Sequence, residues 1–333
     1  MVTRIAINGF GRIGRCTLRA VFESGRDDIE IVAINDLAPA DHLAHLFKYD
    51  SVHGTFQREV SVKGETLVVD GREIRLTATA NPADLPWTDV DVALECTGRF
   101  NSRDKAAAHL ENGSKRVLVS APASNADRTV VFGVNHDDLT PADLVVSNAS
   151  CTTNCLAPMA KVLDDAFGLT TGYMTTIHAY TGDQPSHDRD HSDLYRARAC
   201  ALSMVPTSTG AARAISLVLP HLEGRLEGSA IRVPTANVSL VDLSFMPERG
   251  ATVETVNAVI EVASKGVLKG VLGYEEAPLV SSDFNHNPLS SIFAPAQTSV
   301  TSAGMVRVVS WYDNEWGFSN RMLDTAVHIG SLI

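Results

Sequence analysis

The sequence predicts an α/β protein of two domains: a parallel sheet covered by helices on both faces, then an α+β domain with a mixed, largely antiparallel sheet. Three observations carry this. Over residues 1–150 short β-branched runs alternate with helical stretches. Beyond residue 151 the strand-like runs lengthen. A chain of 333 residues, 44% hydrophobic and 20% charged, is long enough and ordinary enough to build two cores.

Taken in order, Ile5-Ala6-Ile7 reads as a strand ahead of a helix over 14–22, and Ile29-Glu30-Ile31-Val32-Ala33-Ile34 as the next strand. Residues 41–49 read as helix. Val92-Ala93-Leu94-Glu95-Cys96 and Val117-Leu118-Val119-Ser120 are further apolar strands, with a helix over 102–110 between them. Apolar strands alternating with helices indicate a parallel sheet buried on both faces. Residues 56–77 alternate and carry an Asp70-Gly71 turn, which predicts an antiparallel hairpin inserted in that sheet. Leu144-Val145-Val146 is a strand leading to a helix over 156–163. Residues 171–178, 230–233, 238–245 and 305–312 read as longer strands, with helices near 209–219 and 252–264. Residues 184–199 are polar without a period and read as a long loop, a kind of segment that is usually functional or disordered. Residues 320–332 read as a helix returning to the first domain.

The formal net charge of −11 argues against nucleic-acid binding as a main role, because a backbone-reading protein needs a basic face. Anionic small substrates remain compatible with it. No apolar run is long enough for a membrane span, and the N-terminus enters a strand at once, leaving no room for a signal peptide. Five scattered cysteines, Cys16, Cys96, Cys151, Cys155 and Cys200, do not form a disulfide framework and fit a reducing cytoplasm.

Ser150-Cys151-Thr152-Thr153-Asn154-Cys155 places a cysteine at the mouth of a helix. Ser150 suits the N-cap, and Cys151 at the first helical position meets unpaired amides and the positive dipole end, which favour thiolate. Taken alone, the motif is equally a small buried residue on a helix. A C-x-x-x-C metal site is discounted, since no histidine cluster or second cysteine pair completes a shell; no metal is expected. His178 ends a strand and is a candidate acid–base partner for Cys151. Arg196, Arg198 and Arg232 are candidate anion binders, surface charge being the better reading of Arg198. Thr207-Ser208-Thr209-Gly210 precedes a helix whose amides suit a phosphate. Gly9-Phe10-Gly11-Arg12-Ile13-Gly14 matches G-x-G-x-x-G between strand and helix, and Asp36 stands about 20 residues on, where a Rossmann-type fingerprint expects an acid for the ribose hydroxyls. Asp36 also repels the 2′-phosphate of NADP.

Together these segments, with Lys48-Tyr49-Asp50-Ser51-Val52-His53-Gly54, Ser120-Ala121-Pro122, Ser147 to Cys155, His178-Ala179-Tyr180-Thr181, Thr209-Gly210-Ala211-Ala212, Ile231-Arg232-Val233-Pro234-Thr235 and Trp311-Tyr312-Asp313-Asn314-Glu315, resemble the phosphorylating glyceraldehyde-3-phosphate dehydrogenase family over essentially the whole chain. The resemblance implies a homotetramer acting on glyceraldehyde 3-phosphate, NAD and inorganic phosphate. It implies an NAD-binding domain over 1–150, with 315–333 packing back on it, and a catalytic domain over 151–314. Cys151 would attack the aldehyde, His178 would take the hydroxyl proton, and phosphate would cleave the resulting thioester. Thr181 and Arg232 match the pocket for the substrate's own phosphate; Ser150, Thr152, Thr209, Gly210 and Arg196 match that for the attacking phosphate. Gly9, Gly11, Arg12, Ile13, Gly14, Asp36, Thr97, Gly98, Ser120 and Asn314 match cofactor contacts, Asn314 by holding the carboxamide.

Three departures bear on the cofactor. Phe318 replaces a common tyrosine, Ala80 a frequent basic residue, and Arg189-Asp190 the Leu-Pro of strictly NAD-dependent members. Arg189 would attract a 2′-phosphate, whereas Asp36 and Asp190 would repel it, so NAD preference with some NADP tolerance is expected. Erythrose-4-phosphate dehydrogenase is the nearest rival, set behind because residues 207–212 resemble the phosphorylating enzyme. A non-catalytic regulatory protein on the same fold is the other.

Overall fold

The computed structural model describes residues 2–333, which form two compact units. The first comprises the chain up to Val130, with His136–Ala149 and Ser319–Ile333; the second comprises Val131–Asn135 and Ser150–Phe318.

Among the described residues, the first unit holds a nine-stranded sheet. Its strands are β1 (Thr3–Asn8), β2 (Ile29–Asn35), β3 (Val60–Lys63), β4 (Thr66–Val69), β5 (Arg72–Thr77), β6 (Val92–Glu95), β7 (Arg116–Val119), β8 (Arg128–Thr129) and β9 (Val145–Ser147). The spatial order is β8-β9-β7-β6-β1-β2-β5-β4-β3, parallel from β8 through β5. Both faces are covered, as apolar strands require. Ala6, Ala33, Trp87, Val90 and Ala93 pack in one cluster, and Ala106, Val117, Val119 and Val145 in another. Helices α1 (Arg12–Glu23) and α2 (Ala40–Lys48) follow β1 and β2.

One expectation is extended here and one corrected. The hairpin expected over residues 56–77 forms, with β4 and β5 turning at Asp70-Gly71, and β3 adds a third strand: the three make an antiparallel meander at the edge of the sheet, with β5 joined in parallel to β2. Two tight turns cause it, one at Gly64 (φ +60°) and one at Asp70-Gly71 (φ +51° and +79°), both needing left-handed backbone. The helix over 102–110 is broken into α3 (Arg103–Ala106) and α4 (Ala108–Glu111). The Leu110 amide bonds to the Ala107 carbonyl, a tightened i to i+3 step that interrupts the α ladder.

The second unit opens with α5 (Cys151–Phe167) and holds an eight-stranded mixed sheet among the described residues. Its strands are β10 (Leu169–Ala179), β11 (Val205–Ser208), β12 (Leu226–Val233), β13 (Ser239–Pro247), β14 (Leu272–Tyr274), β15 (Ser291–Phe293), β16 (Ser299–Val300) and β17 (Val306–Tyr312). The order is β11-β12-β10-β13-β17-β15-β14, with β16 on β17. Only β10–β12 and β14–β15 are parallel. Helices α6 (Ala211–Val218) and α7 (Val253–Lys265) lie beside it, and α8 (Trp316–Ser331) ends the chain's regular structure. No described helix is long and apolar enough to cross a membrane.

Candidate active site

In the first unit the chain leaves β1 toward β2 and later returns to β6 on the other side, so the strand order reverses between β1 and β6. Open parallel sheets bind ligands at the carboxyl ends of strands flanking such a reversal. A cleft of about 260 Å³ opens there, lined by Gly9, Gly11, Asp36, Thr79, Ala80 and Thr97 among others. The three fingerprint glycines have separate reasons. Gly9 has φ +92°, and a Cβ there would meet the Thr97 nitrogen at 2.7 Å; a Cβ on Gly14 would collide with the Gly9 carbonyl. A Cβ on Gly11 would meet nothing within 4 Å, which leaves the N-terminus of α1 open to a ligand.

Asp36 accepts from the Phe10 amide at 2.8 Å and the Ala38 amide at 3.0 Å, one on each oxygen, so each keeps an acceptor position for a ribose hydroxyl. An open helix end beside a held carboxylate fits a dinucleotide. Arg12, Ile13, Gly14, Gly98 and Ser120 are not among the residues lining this cleft. Arg12 is ion-paired to Asp50. Although burial opposes it, that guanidinium and the Val52 and His53 amides hold the Asp50 carboxyl well below the usual range. Ser120 donates its amide to the Glu95 carbonyl at 2.9 Å, past the end of β7.

In the second unit Ser150 caps α5, accepting from the Thr153 amide at 3.0 Å. Ala149, just ahead, takes left-handed φ of +56°, a strained conformation for a side chain with a Cβ and of a kind found at functional sites. The cap places Cys151 at the first helical position. Its Sγ lies 3.5 Å from His178 Nε2. Pairing of β10 with β12 sets His178 opposite Arg232. Arg232 Nη1 lies 2.8 Å from His178 Nδ1 and 3.0 Å from the Ala179 carbonyl, which is itself 2.7 Å from Nδ1. The Tyr312 ring meets the imidazole edge-on at 5.8 Å, and its hydroxyl bridges Thr152 (2.8 Å) and Thr176 (2.9 Å).

The expectation of a resting thiolate is corrected by this surrounding. Burial pushes the Cys151 thiol up, outweighing the Arg232 charge and the first-turn hydrogen bonds that pull it down. The helix end acts as expected but is overruled. Cys151 stays partly exposed, so this desolvation acts on a sulfur at the mouth of the site. Burial, followed by the charges of Arg232 and Arg196, lowers His178 to about 3 against the one opposing bond to Ala179. The resting pair is therefore thiol and neutral imidazole. Burial also lowers Arg232, and the Arg196 charge adds to it. Two guanidiniums that repel each other near one imidazole make an anion receptor.

The depressed His178 has a stability consequence whose sign follows from proton counting. Between its ordinary value of 6.5 and about 3, the unfolded chain binds a proton that the native state does not. Native stability therefore decreases as the pH is lowered through that window. Between pH 7 and pH 5, Tm of the wild type should drop further than Tm of His178→Asn; equal drops would show that His178 is not buried neutral.

Of the other candidate phosphate residues, Thr209 accepts from the Ala211 amide at 3.1 Å at the start of α6, with Gly210 as its N-cap residue. Arg196 is held by Asp183 (3.0 Å) and Thr207 (3.1 Å), so its loop presents it already oriented. Arg198 pairs with Asp188 on the surface. Asn314 receives the Ser239 hydroxyl on Oδ1 at 2.9 Å, which fixes its amide. Cys155 is buried against Ser291 and Ser310 and is pushed by burial to about 12, a packing residue. Sequence reading had no signal for Tyr312 as the brace of Thr152, or for Asp50 as the partner of Arg12, beyond their presence in family-like segments.

Comparison with known proteins agrees with this architecture. The family model described as glyceraldehyde 3-phosphate dehydrogenase, NAD binding domain, matches residues 3–103, and that of the C-terminal domain matches residues 150–314. Relatives named glyceraldehyde-3-phosphate dehydrogenase include that of Cereibacter sphaeroides, 64% identical over 333 residues, and that of Xanthobacter flavus, 64% identical over 334, each covering 100% of both chains. That of Geobacillus stearothermophilus is 55% identical, covering 99% of both. A thiol–imidazole pair beside two arginines, a dinucleotide cleft and this likeness over the full length converge on one conclusion: the chain belongs to the glyceraldehyde-3-phosphate dehydrogenase family.

Proposed function

We propose that this chain oxidises glyceraldehyde 3-phosphate with NAD and inorganic phosphate to 1,3-bisphosphoglycerate and NADH, through a thiohemiacetal and then a thioester on Cys151. The observation that carries this reading is the 3.5 Å approach of Cys151 Sγ to His178 Nε2. Both groups are neutral at rest, so the nucleophile forms as the thiol proton moves to Nε2 and sulfur bonds to the aldehyde carbon. The proton passes on to the carbonyl oxygen, giving the thiohemiacetal hydroxyl.

Nε2 can accept only when the ring's other proton sits on Nδ1, donated to the Ala179 carbonyl. Arg232, aimed at Nδ1 in the resting site, opposes that tautomer and lowers the ring's basicity. A substrate phosphate held by Arg232 and Thr181 would neutralise the guanidinium and draw it from the ring, so substrate arrival itself makes His178 a better base. Nε2 then takes the hydroxyl proton while the C1 hydrogen leaves as hydride, for which bound NAD supplies the acceptor. The Cys151 amide, at the first turn of α5, stabilises charge on the carbonyl oxygen. Phosphate held by Ser150, Thr152, Thr209, Gly210 and Arg196 displaces the thiol from the thioester carbon. Gly9, Gly11, Arg12, Ile13, Gly14, Asp36, Thr97, Gly98 and Ser120 serve the cofactor, and Asn314 takes its carboxamide.

NAD is preferred, because Asp36 and Asp190 repel a 2′-phosphate that Arg189 alone attracts. Initial rates with NAD and NADP in parallel, with and without phosphate, test the whole reading. NADH formation should depend on phosphate, and kcat/KM should favour NAD; a ratio favouring NADP overturns the preference, and phosphate independence overturns the reaction. Assembly as a homotetramer is supported by the loop between β10 and β11, where Leu194 (79% exposed), Leu202 (82%) and Met204 (75%) stand open to water in the single chain. Five free cysteines support a cytoplasmic location.

A further inference from the structure

The last residues of four neighbouring parallel strands lie in register across the floor of the first unit's cleft: Glu95 on β6, Asn8 on β1, Asn35 on β2 and Thr77 on β5. All but Thr77 are almost fully buried, and they are linked side chain to side chain. Glu95 Oε2 accepts from Asn8 Nδ2 at 2.6 Å and lies 3.0 Å from His109 Nε2. Its Oε1 accepts from the Thr97 amide at 2.8 Å and from the Thr97 hydroxyl. Four donors thus meet the four acceptor positions of one carboxylate. Asn8 Oδ1 accepts from Asn35 Nδ2 at 2.8 Å. Asn35 in turn binds both backbone groups of Thr79, amide and carbonyl, at 2.8 Å each, and accepts from the Thr77 hydroxyl at 2.9 Å.

Thr97 and Thr79 line the cleft, together with Asn8 and Asn35 beneath them. The chain Thr97–Glu95–Asn8–Asn35–Thr79 therefore runs from one wall of the cleft to the other along its floor. We propose that Glu95 is a positioning residue for the cofactor: the buried ladder it anchors sets the width of the dinucleotide cleft, so that disturbing it weakens NAD binding without touching NAD. This rests on the reading of the cleft as the dinucleotide site. His109, stacked on Trp87 at 5.6 Å, holds the outer side of the carboxylate, and its Nδ1 has no partner among the described residues. The whole ladder is specified by donor and acceptor identity, because a donor facing a donor in a buried site forfeits the bond and costs desolvation as well.

Glu95→Gln keeps the shape and the acceptor toward Thr97 but turns an NH2 on the Asn8 NH2. Combining it with Asn8→Asp reverses the pair, since the carboxylate introduced at position 8 would accept both from the amide introduced at position 95 and from Asn35. NAD affinity by calorimetry, and KM and kcat on the assembled enzyme, read the result. In the single variant Kd and KM for NAD should rise about tenfold or more, with kcat at saturating NAD within about threefold and KM for the aldehyde unchanged; the double variant should recover most of the loss. A folded Glu95→Gln protein with wild-type NAD affinity overturns the proposal, as does a loss that the double variant fails to reverse. If Glu95→Gln does not fold, Thr77→Val, which is isosteric and removes one donor to Asn35, should raise Kd about threefold; an unchanged value is equally fatal. Wild-type protein that binds no NAD would instead refute the cleft assignment itself.

Discussion

Cys151→Ser is expected to lower kcat by about 10⁴-fold or more while leaving NAD affinity within about twofold. A serine hydroxyl keeps the cap geometry of α5 and the distance to His178, but its proton is far harder to remove, and an ester resists attack by phosphate more than a thioester does. The cofactor cleft lies in the first unit and holds no atom of residue 151, so binding is a fair control for folding. Pre-steady-state NADH formation with calorimetric NAD titration would check both halves. Appreciable turnover by the serine variant would rule out covalent thiol catalysis.

His178→Asn should lower kcat by roughly 10²–10³-fold. It should also slow alkylation of Cys151 near pH 7 and move the alkylation profile to higher pH. The reason is the environment described above. Burial pushes the thiol up, and Arg232 only partly offsets it, so the sulfur needs a proton acceptor at 3.5 Å to react near neutrality. Asparagine keeps a polar group there but cannot take the proton. Iodoacetamide inactivation rates across pH 6–10 would decide it: identical profiles for wild type and variant would mean that His178 does not activate the thiol.

Features legible in the sequence were those set by neighbours along the chain. Ser150 as the N-cap of α5 and the fingerprint glycines follow from three- to six-residue spacing, and the parallel first sheet follows from apolar runs alternating with helices. What escaped depends on contacts between distant segments. Arg232 reaches His178 across 54 residues of sequence through the parallel pairing of β10 and β12, and its charge adds to burial in keeping that ring unprotonated. Burial of Cys151 is likewise a property of packing, not of spacing. Glu95 reads as one more residue of a strand until β1, β2 and β5 are laid beside it. The edge hairpin was legible from its Asp70-Gly71 turn, whereas its third strand was not, because alternation specifies strands but not how many turns divide them.

The apolar side chains on the loop between β10 and β11 bear on how the protein comes to exist at all. A newly made single chain carries Leu194, Leu202 and Met204 in water, where the proposed assembly would cover them. In that proposed assembly, correct association and indiscriminate clumping would compete for the same surface, and both would speed up with concentration. Recovery from denaturant should therefore pass through an optimum at dilute protein, above which turbidity replaces activity.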